Sequence, residues 1–152
     1  MPPNDDALRI EDLNDLDDSW TIAEGTHGDG PMLVRINTSA KRWAGHPELG
    51  IRVGFAIPLN HPNPGGLPDA EENRVVGELE DRIRELLKAG GPVVHALAIT
   101  TGTFKEFVFY LKNGECIGPV HEQLRAEVSS HQIQCMAYRD PEWDVYASFA
   151  TG

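Results

Sequence analysis

Between Ile51 and Arg139 the spacing of apolar residues changes from every second position to helical spacing and back, twice, and this alternation limits what the chain can fold into. Ile51, Val53, Phe55 and Ile57 point one way and Arg52, Gly54 and Ala56 the other, which predicts a strand. Pro58 and the run His61-Pro62-Asn63-Pro64-Gly65-Gly66 end it, because proline has no N–H to give a ladder. Val75, Val76, Leu79, Ile83, Leu86 and Leu87 then recur at helical spacing, behind Asp69 as N-cap and Glu72 three residues on, until Gly90-Gly91-Pro92 stops the helix. Glu78 with Arg82 and Glu80 with Arg84 are expected to pair on its wet side. Val93 to Thr101 and Lys105 to Lys112 form a hairpin, with Phe107, Phe109 and Leu111 on one face and Glu106, Val108 and Tyr110 on the other. Gly118-Pro119 starts a second helix, with Pro at the first helical position and Val120, Leu124 and Val128 on the buried side. Gln132 to Arg139 is the last strand.

Two further pieces flank this core. Trp20 to Gly25 and Met32 to Asn37 read as strands joined through His27-Gly28-Asp29-Gly30, where glycine supplies the positive φ of a tight reversal. At the other end, Asp140-Pro141 is expected to cap a short helix bearing Trp143, Val145, Tyr146 and Phe149, with Pro141 in its first position. The order predicts an α+β fold: a ferredoxin-like βαββαβ sandwich with an N-terminal β-hairpin and a short C-terminal helix. Right-handed crossovers place both long helices on one face of the sheet. The other face is open unless the hairpin, the terminal helix or a second subunit covers it, and the edge that the hairpin joins is left open.

Charge divides the chain unequally. Residues 1–18 hold seven of its 24 acids and one of its 13 bases, and offer only Leu8, Ile10, Leu13 and Leu16 to bury. The expectation is an acidic mobile tail over 1–18 and a single α+β domain over 19–152. A formal charge of -11 argues against direct nucleic-acid binding, which needs clustered Lys and Arg. No apolar run approaches the ~20 residues of a membrane span, and the start resembles no signal peptide, so no membrane association and a cytoplasmic location are expected. Cys116 and Cys135, far apart and outside any CxxC, are expected to be reduced thiols. His27, His46, His61, His95, His121 and His131 lie on different elements without ligand spacing, so surface or loop histidines are expected, with no metal and no cofactor.

Four stretches carry a resemblance when read in order: Met32-Leu33-Val34-Arg35-Ile36-Asn37-Thr38, Gly66-Leu67-Pro68-Asp69-Ala70-Glu71-Glu72, Lys105-Glu106-Phe107-Val108-Phe109-Tyr110 and Arg139-Asp140-Pro141-Glu142-Trp143-Asp144-Val145-Tyr146. Together they resemble the bacterial domain-of-unknown-function family numbered 695, over about Trp20 to Phe149. Asp140-Pro141-Glu142-Trp143 followed by Tyr146 is the most specific piece. Lys105 is a departure, since the family more often has Arg there, and Lys is a point charge where Arg is a planar fork. The resemblance implies the domain limits and the fold, and it implies no activity.

No nucleotide loop, nucleophile elbow or metalloprotease motif is present. The candidate ligand or partner residues are Arg35, His95, Glu106 and Tyr110, which form a polar patch on the helix-free sheet face if their faces coincide, the facing of His95 being left open, and, separately, Trp143, either a core anchor that docks the terminal helix or a cleft residue beside Tyr146. A surface Arg35–Glu106 ion pair is the plainer account of the patch. The function expected is a non-catalytic binding or regulatory domain whose partner is a protein, with a homodimer through the open sheet face as one form. The alternatives are a small hydrolase or transferase using His95 and Glu106, and a nucleic-acid mimic that occupies a basic partner.

Overall fold

The computed structural model describes residues 9–15, 19–28 and 30–150. The elements in chain order are β1 (Trp20–His27), β2 (Gly30–Asn37), β3 (Ile51–Pro58), α1 (Ala70–Ala89), β4 (Val93–Thr100), β5 (Phe104–Leu111), α2 (Ile117–Glu127), β6 (Gln134–Arg139) and α3 (Asp144–Ala150). Short 3-10 helices lie at Ile10–Asp15, Thr38–Trp43 and Gly114–Cys116. The fold is α+β, built on one six-stranded antiparallel sheet in the order β1-β2-β4-β5-β3-β6. Gly28, at φ +63, makes the reversal between β1 and β2 in the left-handed region where a Cβ is disfavoured. The hairpin joins the sheet through β2, which pairs with β4 from Leu33↔Thr100 to Ile36↔Leu97.

Strand alternation sorts the core into two layers. Val53, Phe55, Ile57, Phe107, Phe109 and Leu111 meet Val76, Ile83 and Leu87 of α1 and Val120 and Leu124 of α2. On the opposite face Val34, Ile36, Leu97, Ile99, Val108 and Tyr110 meet Leu13, Trp43, Leu49, Trp143 and Tyr146. That face is therefore covered at one end by α3 and the two N-terminal 3-10 helices. Most of the acidic stretch 1–18 lies outside the described residues, but Leu13 within it is buried in this second layer.

Three local expectations are corrected. α2 begins at Ile117, because the Asn113 side chain accepts from the Glu115 N–H at 3.1 Å and starts a helical turn earlier. Pro119 is thus the third helical residue, where its missing N–H still has no intrahelical acceptor to satisfy. α3 begins at Asp144, so Pro141 is not its first residue. The Asp140 carbonyl accepts from the Trp143 N–H at 2.9 Å, closing a turn over Pro141 and Glu142, while the Asp140 carboxylate accepts from the N–H groups of Asp144 and Val145. The cap is the expected residue, reached across a turn that places Trp143 at φ +59. Lastly, the wet side of α1 pairs differently: Arg74 bonds Glu78, Arg82 bonds Glu85 and Glu127 of α2, and Arg84 bonds Asp81. Glu80 is not on that side at all.

Candidate functional site

The four residues of the expected patch are divided between the two faces of the sheet. Arg35 and His95 lie under α1; Glu106, Tyr110 and Trp143 lie on the other face. Arg35 and Glu106 therefore form no ion pair, and His95 and Glu106 cannot share a proton.

On the helical face, Nη2 of Arg35 donates to both carboxylate oxygens of Glu80 at 2.6 and 2.7 Å, and the guanidinium lies over Trp20. His95 follows Phe109 in facing the helices, since a bulge between His95 and Leu97 shifts the register of β4 against β5. Its ring stacks on Phe109 with centroids 4.3 Å apart, touches Trp20 edge-on, and makes no hydrogen bond at either nitrogen among the described residues. Nδ1 stands 3.7 Å from Glu80 Oε2. Burial, with the charges of Arg84 and Arg35 adding to it, pushes its pKa down to about 3, so the ring is neutral at pH 7 and no base poised near neutrality. Lys105 completes this cluster, with Nζ donating to Asn73 Oδ1 at 2.8 Å. Burial lowers its pKa against the pull of Glu80. Arg35, Lys105, Asn73 and Thr100 line a cavity of about 260 Å³ with apolar walls.

On the other face, Trp143 is fully buried, stacked on Tyr110 with centroids 4.0 Å apart and donating from Nε1 to the Leu49 carbonyl at 2.8 Å. It packs as a core anchor. Tyr110 is equally buried and donates to Asp140 Oδ2 at 2.7 Å, while Arg52 reaches the same oxygen at 3.1 Å. Burial and the Asp140 carboxylate raise the Tyr110 pKa. Burial acts on Asp140 too, but the Tyr110 hydroxyl, the two N–H groups and Arg52 outweigh it and hold that carboxyl low. Beside this network lies a depression of about 300 Å³ lined by Arg52, Glu106, Met136, Tyr138 and Val145 around Gly54. Met136 and Tyr138 are 57% and 49% exposed. Glu106 folds over Gly54, where a Cβ would come within 2.5 Å of Oε2. Burial raises its pKa while Arg52 opposes the shift.

Sequence reasoning missed Glu80, Arg52 and the setting of Lys105, because each sits at a position whose helical or strand period marks it only as polar. It also missed a third polar centre, in which buried Glu72 accepts from the Asn60 and His61 N–H groups at 2.6 and 2.9 Å and contacts His131 Nε2 at 2.6 Å. His131 Nδ1 is 3.1 Å from Ser130 Oγ. His95, on β4, is thus a core histidine, contrary to the surface or loop setting expected of it, whereas His131 does lie in a loop, with its ring buried against Glu72. Among the described residues no group of three or more His, Cys, Asp or Glu is placed to hold a metal, and no helix is long and apolar enough to cross a membrane. Cys116 and Cys135 are unpaired. No curated protein and no solved structure matches the chain. Residues 18–150, most of its length, match the family of unknown function DUF695, and the chain belongs to that family.

Proposed function

We propose that the protein is a non-catalytic binding domain whose open sheet face receives a basic segment of a partner protein, with Glu106 accepting a Lys or Arg side chain. The observation that carries this reading is Glu106 itself, a half-buried carboxylate with no hydrogen bond or ion pair among the described residues. Arg52, which lines the same depression, is held by Asp140 and lies over the Tyr138 ring, 4.8 Å from its centroid. A carboxylate without a partner in a half-desolvated site is costly until a ligand cation joins it. Met136 and Tyr138 beside it supply the apolar contact that a peptide segment would cover, and the charge of -11 favours a basic partner. We also infer that β3 to β6 with α1 and α2 is a ferredoxin-like unit extended by the β1–β2 hairpin, which the order β6-β3-β5-β4 supports.

Titration with a fluorescent peptide alternating Lys with apolar residues tests the reading. Wild type should bind saturably, Glu106→Gln should lose binding, and Arg35→Ala, on the opposite face, should keep it. Unchanged affinity in Glu106→Gln would refute the assignment, and self-association that survives in that variant would make a second copy the occupant. Glu106→Gln should also be more stable than wild type at pH 7. An acid with a raised folded pKa binds its proton more tightly in the folded state, so stability falls as pH rises through the ordinary carboxyl value toward the raised one. The gain should vanish below about pH 4, where the carboxyl is protonated in both states.

A further inference from the structure

The cavity on the helical face has a different chemistry. Lys105 is 7% exposed, and its ammonium, which lies 6.0 Å from the Phe107 ring centroid, has a single hydrogen-bond partner among the described residues, the neutral side-chain oxygen of Asn73. Arg35 spends one nitrogen, Nη2, on both oxygens of Glu80, and its Nε and Nη1 meet no acceptor among the described residues. Two cations thus stand against one carboxylate, a local excess of one positive charge in a chain of net charge -11. His95 adds nothing to this balance, being neutral and enclosed by rings. Ile22, Leu33, Leu67 and Pro68 form the walls, and Ile22 and Leu67 are 64% and 37% exposed at the mouth. Lys105 and Arg35 supply the polar end and the four apolar side chains the remainder. The volume of about 260 Å³ falls just below the usual small-molecule range of roughly 300–1,000 Å³.

We propose that this cavity is a binding site for a small monocarboxylate with a short apolar chain, its carboxylate held between Lys105 Nζ and the free edge of the Arg35 guanidinium. One ligand charge neutralises the one excess cation, and the chain lies along Leu33 and Pro68. A dianion would overshoot that balance and approach Glu80 with a charge that the site does not offset. The apolar walls give a chain what inorganic phosphate cannot use. This site is separate from the Glu106 face, and its ligand does not depend on that assignment.

Calorimetric titration of the full chain with butyrate, butyramide and inorganic phosphate decides the matter. Butyrate should bind saturably in the millimolar range, and butyramide, which keeps the shape and lacks the charge, should bind about tenfold more weakly or worse. Phosphate should also be the weaker ligand. Lys105→Met, which keeps the length and removes the charge, should lose butyrate, Lys105→Arg should retain it, and Glu106→Gln should bind it as wild type does. Circular dichroism confirms that each variant is folded, and Lys105→Gln replaces the Met variant if that one is not. The proposal is overturned if butyrate shows no saturable binding, if butyramide or phosphate matches it, or if the uncharged variants bind it unchanged.

Discussion

Trp143 gives the sharpest test of the fold, because its backbone and its side chain pull in opposite directions. The ring is fully buried, stacked on Tyr110, edge-on to Tyr146, and bonded through Nε1 to the Leu49 carbonyl. Truncation to Ala should cost about 3–5 kcal/mol through the lost burial and the cavity left behind. The backbone, at φ +59, is in the left-handed region, which costs a residue with a Cβ roughly 1–2 kcal/mol. Glycine has no such penalty. Elsewhere in regular structure Gly is worse than Ala by roughly 0.5–1 kcal/mol, so the order of the two variants is diagnostic. Trp143→Gly should therefore be more stable than Trp143→Ala by about 1 kcal/mol, although both fall well below wild type. Urea denaturation followed by far-UV circular dichroism measures both, and equal slopes show that the denatured states are comparable. An Ala variant as stable as the Gly variant, or more so, would refute the left-handed turn at Trp143.

Asp140→Ala should cost about 3 kcal/mol, above the roughly 0.5–2 kcal/mol of a simple helix cap, since it also strips Arg52 and the buried Tyr110 hydroxyl of their acceptor; chemical denaturation reads the difference. Burial pushes the Glu72 carboxyl up, but the Asn60 N–H, His131 and the His61 N–H together hold it below its ordinary value of 4.5. Its contribution is therefore complete above that value and fades as pH falls through the lower folded one, so Glu72→Gln should flatten the acid limb of a stability–pH curve, and an unchanged limb would count against this anchor. Leu13→Ala should cost about 2 kcal/mol if Ile10–Asp15 stays seated in solution, and a thermal midpoint equal to wild type would favour a mobile acidic stretch.

The strands and long helices were legible because each one announces its period. Ile51 to Ile57 alternate cleanly, and the Asp69 cap does accept from the Glu72 N–H at 2.8 Å. The facing of β5 was legible for the same reason, with Phe107, Phe109 and Leu111 in one layer and Val108 and Tyr110 in the other. The facing of β2 was readable within the strand, since Val34 and Ile36 oppose Arg35, but alternation does not say which face of the whole sheet each set joins. That depends on strand order, and through β4 it depends on the bulge at His95 and Leu97, a register change that no residue type marks. One such ambiguity was enough to place Arg35 and Glu106 together when they stand on opposite faces. Glu80 was obscured differently: at helical spacing it reads as the start of a pair with Arg84, and only the approach of β2 beneath α1 offers it Arg35 instead.

Lys105 and Glu106 are consecutive residues of β5, an internal strand flanked by β4 and β3, and the period of two sends them to opposite faces. Neither needs to be charged for the sheet to form. The ladder is carried by backbone groups, and the packing by Phe107, Val108, Phe109 and Tyr110. Burial disfavours the charged form of both side chains, lowering the Lys105 pKa and raising that of Glu106, and neither finds an oppositely charged bonding partner among the described residues. They also cannot neutralise each other, because the sheet lies between them. A pair of incompletely neutralised charges near the start of an otherwise apolar strand is a local conflict of the kind expected where something binds. Each opens into its own cavity, one with an excess of positive charge and one with an unpartnered carboxylate. Ligands that neutralised these two charges would differ in sign, an anion under α1 and a cation on the open face, and a single ligand could not relieve both.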